Sequence, residues 1–302
     1  MSRHREEVPR PLSFFESNTY SQFGEDGILA EIVHRIESHH ALTKWCVEFG
    51  AWDGEFLSNT ARLIREEDFH AVLIEGDTQR ARDLRHVHPA RQVVALNALV
   101  TSKGDQRLDV LLANTPAPHD FDVLSIDIDG CDYHVWAAVE KYRPKVVVIE
   151  YNPTMPNEVD WVQADDAAIN QGSSAAALWR LASEKNYVPV ALTHTNLIAV
   201  ASEYADAVLG FDRPTLDELR DDKDARVFIF VGYDGTLFTS QPVTMPWNLH
   251  TTIPEHRLQV LPRALRGFRG GRSASQIALR HAVATWLSPR QEFARLRDRF
   301  RA

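Results

Sequence analysis

Along the first two thirds of the chain, short apolar runs alternate with stretches whose apolar residues recur every three or four positions. Five such runs fall at 45–49, 71–75, 92–96, 123–127 and 146–150, and several of them are near-continuous Val, Ile and Leu. Such runs predict strands buried on both faces, as in a parallel sheet covered by helices. The segments between them predict helices near 57–67, 78–87, 106–112 and 133–142, the last ended by Pro144. Upstream, Ile28, Leu29, Ile32, Val33 and Ile36 share one face of a further helix. The segment before it, Tyr20 to Gly27, carries glycine and acid and reads as a loop.

After residue 150 the pattern changes. Residues 151–171 are polar, contain Pro153 and Pro156 and lack periodicity, so they read as a functional lid. A helix over 173–185 follows. Runs 187–192 and 197–201 then stand at hairpin spacing, which makes the last strand antiparallel to the others. The resulting division is an arm at 1–19, an α/β body at 20–201 and an accessory region at 202–302. In that region the pattern predicts a short helix at 214–220, a strand at 226–231, a proline-broken irregular stretch at 241–254 and a helical tail. Gly267, Gly270 and Gly271 interrupt the tail, and Ile277, Leu279, Val283, Trp286 and Leu287 form an apolar stripe on it. The arm is expected to pack through Phe14 and Phe15.

Composition adds limits. With 302 residues, 44% of them hydrophobic and 25% charged, the chain can bury a large core and has no bias toward disorder. No run is long enough for a membrane span, and the first residues lack the apolar core of a signal peptide, so a cytoplasmic location is expected. Cys46 and Cys131 lack a Cys-x-x-Cys spacing and are expected as free thiols. The net charge of −9 is uneven, because ten Arg against Glu292 and Asp298 make the chain from Leu261 onward +8 and leave −17 elsewhere. An acidic body argues against nucleic acid as the main ligand.

Two constellations could carry chemistry. In the first, Glu48, Gly50, Asp53 and Gly54 follow the first strand in an acidic, glycine-bearing turn. Glu75 closes the next strand 27 residues after Glu48. Glycines that admit a ligand to the backbone, with a carboxylate about 20 residues on to take ribose hydroxyls, are the layout of a nucleotide-type cofactor crevice. Asn97, after the third strand, could meet the adenine edge. An ordinary tight turn is the competing reading.

The second constellation is Asp127, Asp129 and Asp132, with Glu150 and Asn152 at the end of the fifth run. Strand alternation would send Asp127 and Asp129 to one side, at the same sheet edge as Glu150. Converging oxygens of this kind either hold a hard cation such as Mg²⁺ or Mn²⁺ or must share protons. Asp132 is expected to cap the following helix, and Glu150 or Asn152 could instead stabilise a turn. Trp52, Tyr133, Tyr151, Trp161 and His194 could wall an acceptor pocket or serve only as core.

Five segments taken together, Ser21–Gly27, Val47–Gly54, Ser125–Tyr133, Ile149–Pro153 and Asn170–Ser174, resemble the FkbM-type branch of S-adenosylmethionine-dependent methyltransferases. The resemblance spans roughly residues 20–201 and implies a class I methyltransferase fold: a Rossmann-like α/β sheet, parallel with an antiparallel last strand. It also implies methyl transfer to a hydroxyl of a small molecule, sugar or natural product. Glu48, Gly50 and Gly54 would line the methionine end of S-adenosylmethionine and Glu75 would bind its ribose. Asp127, Glu150 and Asn152 are similarly placed to the metal ligands of catechol-type O-methyltransferases, although Gly130 stands where those carry a lysine. The base is then left to His134, Asp129 or the metal.

Other readings remain. Asp127-Ile128-Asp129-Gly130 and Asp234-Gly235-Thr236 echo a haloacid dehalogenase-type phosphatase signature, with Cys131 and Gly232 at positions that signature fills otherwise. The Arg-rich tail could touch an anionic membrane surface or a partner protein, a second copy of the chain included.

Overall fold

A computed structural model describes residues 9–87, 91–267 and 273–289. They form two compact units that divide between Ala225 and Arg226. Residues 202–225 therefore cluster with the body rather than with the accessory region. The physical reason is a helix, Ala205–Leu209, whose Ala205 and Val208 are buried in the core of the first unit.

The first unit is built on β1 (Trp45–Phe49), β2 (His70–Glu75), β3 (Val93–Asn97), β4 (Val123–Ile126), β5 (Val146–Glu150), β6 (Tyr187–Leu192) and β7 (Asn196–Ala201). The seven strands are ordered β3-β2-β1-β4-β5-β7-β6. Strands β1 to β5 are mutually parallel, while β7 runs antiparallel between β5 and β6. This is the α/β class I methyltransferase sheet expected from the alternation of runs. The chain leaves β1 toward β2 on one side and returns to β4 on the other. In open α/β sheets ligands bind at such a switch point, beyond the carboxyl ends of the strands.

Both sheet faces are buried, which is why the strands read as unbroken apolar runs. One face sets Val47, Phe49, Ile126 and Ile149 against Leu112, Trp136 and Leu178. These come from α4 (Leu108–Leu112), α5 (Asp132–Ala137) and α6 (Ala175–Glu184). The opposite face sets Cys46, Ala71, Leu73 and Val148 against Ile28, Ile32, Leu63 and Leu84, from α1 (Glu25–Glu37), α2 (Ala61–Glu66) and α3 (Thr78–Val87). Each Val, Leu, Ile or Phe among them contributes about 1.5–3 kcal/mol when buried. Cys46 and Cys131 are free.

Several boundaries differ from the sequence expectation. The helix expected from residue 28 begins at Glu25, because its two leading acids serve its N-terminus. Glu25 accepts from Phe23 N (2.8 Å), and Asp26 accepts from Thr19 N (2.8 Å) and Tyr20 N (2.7 Å). The N-terminal arm is held by buried Leu12 and half-buried Phe15, while Phe14 stays 70% exposed. Residues 151–174 contain no helix or strand, as expected for a long connection.

In the second unit, the stretch 241–254 is not irregular. Val243–Met245 and Thr251–Ile253 pair as an antiparallel hairpin. Pro242, Pro246 and Pro254 flank those strands without entering them, so no ladder hydrogen bond is lost. Ile229–Val231 and Leu237–Thr239 form another hairpin. A helix over Ala274–Leu287 has a capping box from Ser273 and Gln276 but buries no residue, and Trp286 of the apolar stripe is 81% exposed. Most of the basic tail, Arg269, Arg272 and Arg290 to Arg301, lies outside the described residues. Among the described residues no helix is long and apolar enough to cross a membrane.

Candidate active site

Strand register lines up a row of polar side chains across one sheet face. Partners in a ladder point the same way, and Glu48 pairs with Ser125 while Glu150 pairs with Asn196. Period-two alternation adds Asp127 beyond Ser125. All of these lie on the face covered by α1 and α2, at the carboxyl edge of the parallel strands.

Glu48 sits in the middle of this row, buried and fully engaged. It accepts from Ser58 Oγ (2.6 Å), Thr60 Oγ1 (2.6 Å) and Asn59 N (2.9 Å). Burial raises its pKa, and those bonds oppose the rise. Its oxygens fasten the 58–60 loop, which explains why α2 starts at Ala61 instead of near 57. Gly50 has φ +76, and a Cβ there would run into the Asp127 carbonyl, so its glycine answers the close approach of the turns after β1 and β4. Asp53 Oδ1 accepts from Glu55 N (3.0 Å) and Phe56 N (2.8 Å) in a local turn, and Gly54 has φ +80.

Glu75 ends β2, nearly buried. One oxygen accepts from Trp52 N (2.9 Å) and the other from Asp77 N (2.8 Å). Each oxygen keeps a lone pair, and two donors hold the carboxylate in a single orientation. Asn97 donates to the carbonyls of Glu75 (2.9 Å) and Gly76 (3.1 Å). Trp52, at φ +51, lies 3.6 Å beneath the Arg80 guanidinium.

Asp127, Asp129 and Glu150 come together, with one carboxylate oxygen of each within 4.8 Å of the others. Asp129 does not join by strand alternation, because it lies past the end of β4 at Ile126 and takes a left-handed conformation, φ +59. Burial first, then the charges of Asp132, Asp129 and Glu48, push the Asp127 carboxyl up to about 7. Burial and the charges of Asp127, Asp132 and Asp129 raise Glu150 to about 10. The two carboxyls lie against each other in that cluster. Half-buried acids this close must share a proton or meet a cation.

Asp132 does not cap α5. Its carboxylate turns back to Ile128 N (2.9 Å) and Gly130 N (2.8 Å), shaping the turn that carries Asp129, and burial raises it to about 6. His134 Nε2 bonds the Gln163 carbonyl (2.7 Å), which directs it to the 163–172 segment. Asn152 is likewise committed: its Oδ1 accepts from Thr154 N (2.9 Å) and Thr154 Oγ1 (2.6 Å), and its Nδ2 donates to the Gln171 carbonyl (2.7 Å). The amide oxygen expected beside Glu150 is thus held in a local turn.

Gln163 and Asn196 drew no role from the sequence, and Glu25 entered only as part of the Ser21–Gly27 motif. Gln163 accepts from Gln171 N (3.0 Å) and Gly172 N (2.9 Å), donates to the Ile169 carbonyl (2.9 Å) and packs over Gly130. A side chain on Gly130 would strike the Ile169 carbonyl, so no lysine fits there. Glu25 and Asn196 meet across 171 positions of sequence at 3.1 Å. No periodicity could have signalled contacts of such span.

Two cavities open near this edge. One of about 350 Å³ is lined by Leu99, Val100, Ile128 and Ile169 with Ser102 and Asp165. The other, about 580 Å³, lies between Glu16, Asn18, Phe23 and Gly24 and the turn at Thr193 and His194. That turn is tied to the end of β5, since Tyr151 N donates to the Thr195 carbonyl (2.7 Å) and Tyr151 Oη to the Thr193 carbonyl (2.8 Å). Among the aromatic candidates, Tyr151 is core, whereas exposed His194 packs on Phe23 at 4.8 Å. The other acid-glycine echo, Asp234, bonds Thr236 within an exposed hairpin turn of the second unit.

No protein-family model matches the sequence, and no curated protein matches it. Among solved structures the chain is similar to the DszA carbon methyltransferase, at 13% identity over 63% of this chain and 57% of that one, with a TM-score of 0.40. It is also similar to the O-methyltransferase TomG from Streptomyces achromogenes, at 18% identity over 65% and 92% of the two chains and a TM-score of 0.38. A SAM-dependent methyltransferase from Aquifex aeolicus is similar at 8% identity, 63% and 96% coverage and a TM-score of 0.36. The chain thus spans a little over half the length of the DszA enzyme. The fold assignment stands on the strand order itself, and the reaction must be argued from the site.

Proposed function

We propose that this chain is an S-adenosylmethionine-dependent methyltransferase, of the FkbM-type branch its motifs resemble, acting on a hydroxyl of a small molecule, sugar or natural product with divalent-metal assistance. The observation that carries the reading is the carboxyl edge itself. There the oriented Glu75 carboxylate and the converging Asp127, Asp129 and Glu150 flank the switch point of a sheet with the 3-2-1-4-5-7-6 order. The residues fit both groups. Glu75 has free lone pairs for two ribose hydroxyls, and the apolar walls of Leu99, Val100 and Ile128 suit a flat heteroaromatic ring. Three carboxylate oxygens suit a hard cation.

Bound S-adenosylmethionine supplies a sulfonium methyl, and a bound Mg²⁺ or Mn²⁺ lowers the pKa of an acceptor hydroxyl. The chain's own residues do the rest. Glu75 orients the nucleoside, and the rigid turns after β1 and β4 hold donor and acceptor for in-line approach. Positioning of this kind is worth up to about 7–11 kcal/mol. The acceptor's proton, loosened by the cation, would pass to His134, whose Nε2 bonds the Gln163 carbonyl, or to Asp129, the exposed member of the cluster.

Calorimetric titration with S-adenosylhomocysteine, with and without Mn²⁺, tests the reading. Micromolar binding supports it. Absence of binding in both conditions sinks it and returns the acid cluster to the phosphatase alternative.

A further inference from the structure

Across the sheet from Glu150 stands a buried amide whose oxygen has no hydrogen-bond partner. Asn196 is 4% exposed and starts β7 directly opposite Glu150, so the two side chains share one sheet face. Opposed Cβ atoms in such a ladder stand about 4.5–5.5 Å apart. The Asn196 amide is held in a definite orientation. Its Nδ2 donates to Glu25 Oε1 (3.1 Å), and its backbone N donates to Thr193 Oγ1 (3.2 Å). Glu25 Oε1 also accepts from Thr193 Oγ1 at 2.5 Å. A carboxylate oxygen requires a donor, so Nδ2 must face Glu25 and Oδ1 must face away from it. That Oδ1 is buried and without a hydrogen-bond partner.

A buried acceptor left unsatisfied costs about 1–3 kcal/mol, and a protein has little reason to fix it in place unless a ligand completes it. Asp127, Asp129 and Glu150 offer negative oxygens within 4.8 Å of one another but no neutral one. Asn152, the amide the sequence suggests for that role, has its oxygen on Thr154. We propose that Asn196 supplies the neutral amide oxygen of a divalent-cation site formed with Asp127, Asp129 and Glu150, and that Glu25 holds it in the ligating orientation. The inference rests on the metal-assisted reading above. It also gives the Glu25 to Gly27 motif a role, because its first acid aims a ligand contributed by the far hairpin.

The test is Mn²⁺ binding to the full chain, followed by calorimetry or by the electron paramagnetic resonance of free Mn²⁺, with S-adenosylhomocysteine affinity measured on the same samples. Asn196→Ala should weaken Mn²⁺ binding at least about tenfold. Asn152→Ala should leave it within about twofold. Asn196→Asp keeps the oxygen and removes the donor that Glu25 accepts, so it should retain Mn²⁺ binding while lowering Tm, and it serves if the alanine variant does not fold.

Equal Mn²⁺ affinity in wild type and Asn196→Ala overturns the proposal, as does loss of binding in Asn152→Ala alone. Loss in both Asn196 variants with cofactor affinity intact also overturns it, since the role would then run through the bond to Glu25. A wild-type chain that binds S-adenosylhomocysteine but no Mn²⁺ overturns this inference and leaves the transferase reading standing. Failure to bind either one overturns both.

Discussion

Glu150→Gln should stabilise the metal-free protein at neutral pH while destroying its affinity for Mn²⁺. Burial and neighbouring acids raise Glu150 from 4.5 to about 10 and Asp127 from 3.8 to about 7. A raised carboxyl pKa means that the folded chain keeps a proton the unfolded chain has released. Its stabilising contribution is complete below about pH 4 and is lost as pH rises through the folded values. One shared proton corresponds to about 1.4 kcal/mol per pH unit. Between pH 5 and 7 the wild type should therefore lose about 2–3 kcal/mol, allowing for solvent screening of half-buried groups. That is on the order of 5–10 °C in Tm for a domain of this size.

The amide that Glu150→Gln introduces can donate to ionised Asp127 without a shared proton, which flattens this slope. Carboxylates with lowered pKa values, such as those of Asp160 and Glu203 beside arginines, lose their contribution only as pH falls through their depressed values, below this window. Differential scanning fluorimetry in EDTA from pH 5 to 9 measures both slopes, and Mn²⁺ addition should raise Tm for the wild type alone. A variant less stable than wild type at pH 8 in EDTA, or equal slopes in the two proteins, would refute the account of the acid pair.

Other substitutions separate binding from folding. Glu75→Gln weakens a charge-assisted contact and should raise the S-adenosylhomocysteine Kd by about 10–100-fold; an unchanged Kd in calorimetry would move the ribose away from this carboxylate. Glu48→Ala strands Ser58, Asn59 and Thr60 without their buried acceptor and should cost about 3 kcal/mol in urea unfolding, an effect on the fold before any on the cofactor. Gly50→Ala forces a left-handed backbone and a clash with the Asp127 carbonyl and should cost at least about 2 kcal/mol; a thermal melt like that of wild type would contradict the close approach. Asp127→Ala should leave cofactor binding mostly intact and remove turnover, which single-turnover methyl transfer would detect.

Whatever follows from local periodicity could be read from the sequence alone. Doubly buried strands betray themselves as unbroken apolar runs, so the sheet, its antiparallel last strand and the placing of Glu75, Asp127 and Glu150 at one edge were all legible. The same logic found the helices but not all their ends: α1 starts early at Glu25, α2 starts late at Ala61 and α5 stops at Ala137 rather than near 142. Which polar atoms remain available was settled only by the folded chain. Glu48 and Asn152 have the right residue types in the right places, yet hydrogen bonds to Ser58, Thr60 and Thr154 occupy their oxygens. Asn196 carried no local signal, and only the pairing of β7 with β5 brings it opposite Glu150. Register and the bonds of distant loops are three-dimensional facts, and the chemistry at this edge depends on them because a ligand can be held only by atoms the fold has left unsatisfied.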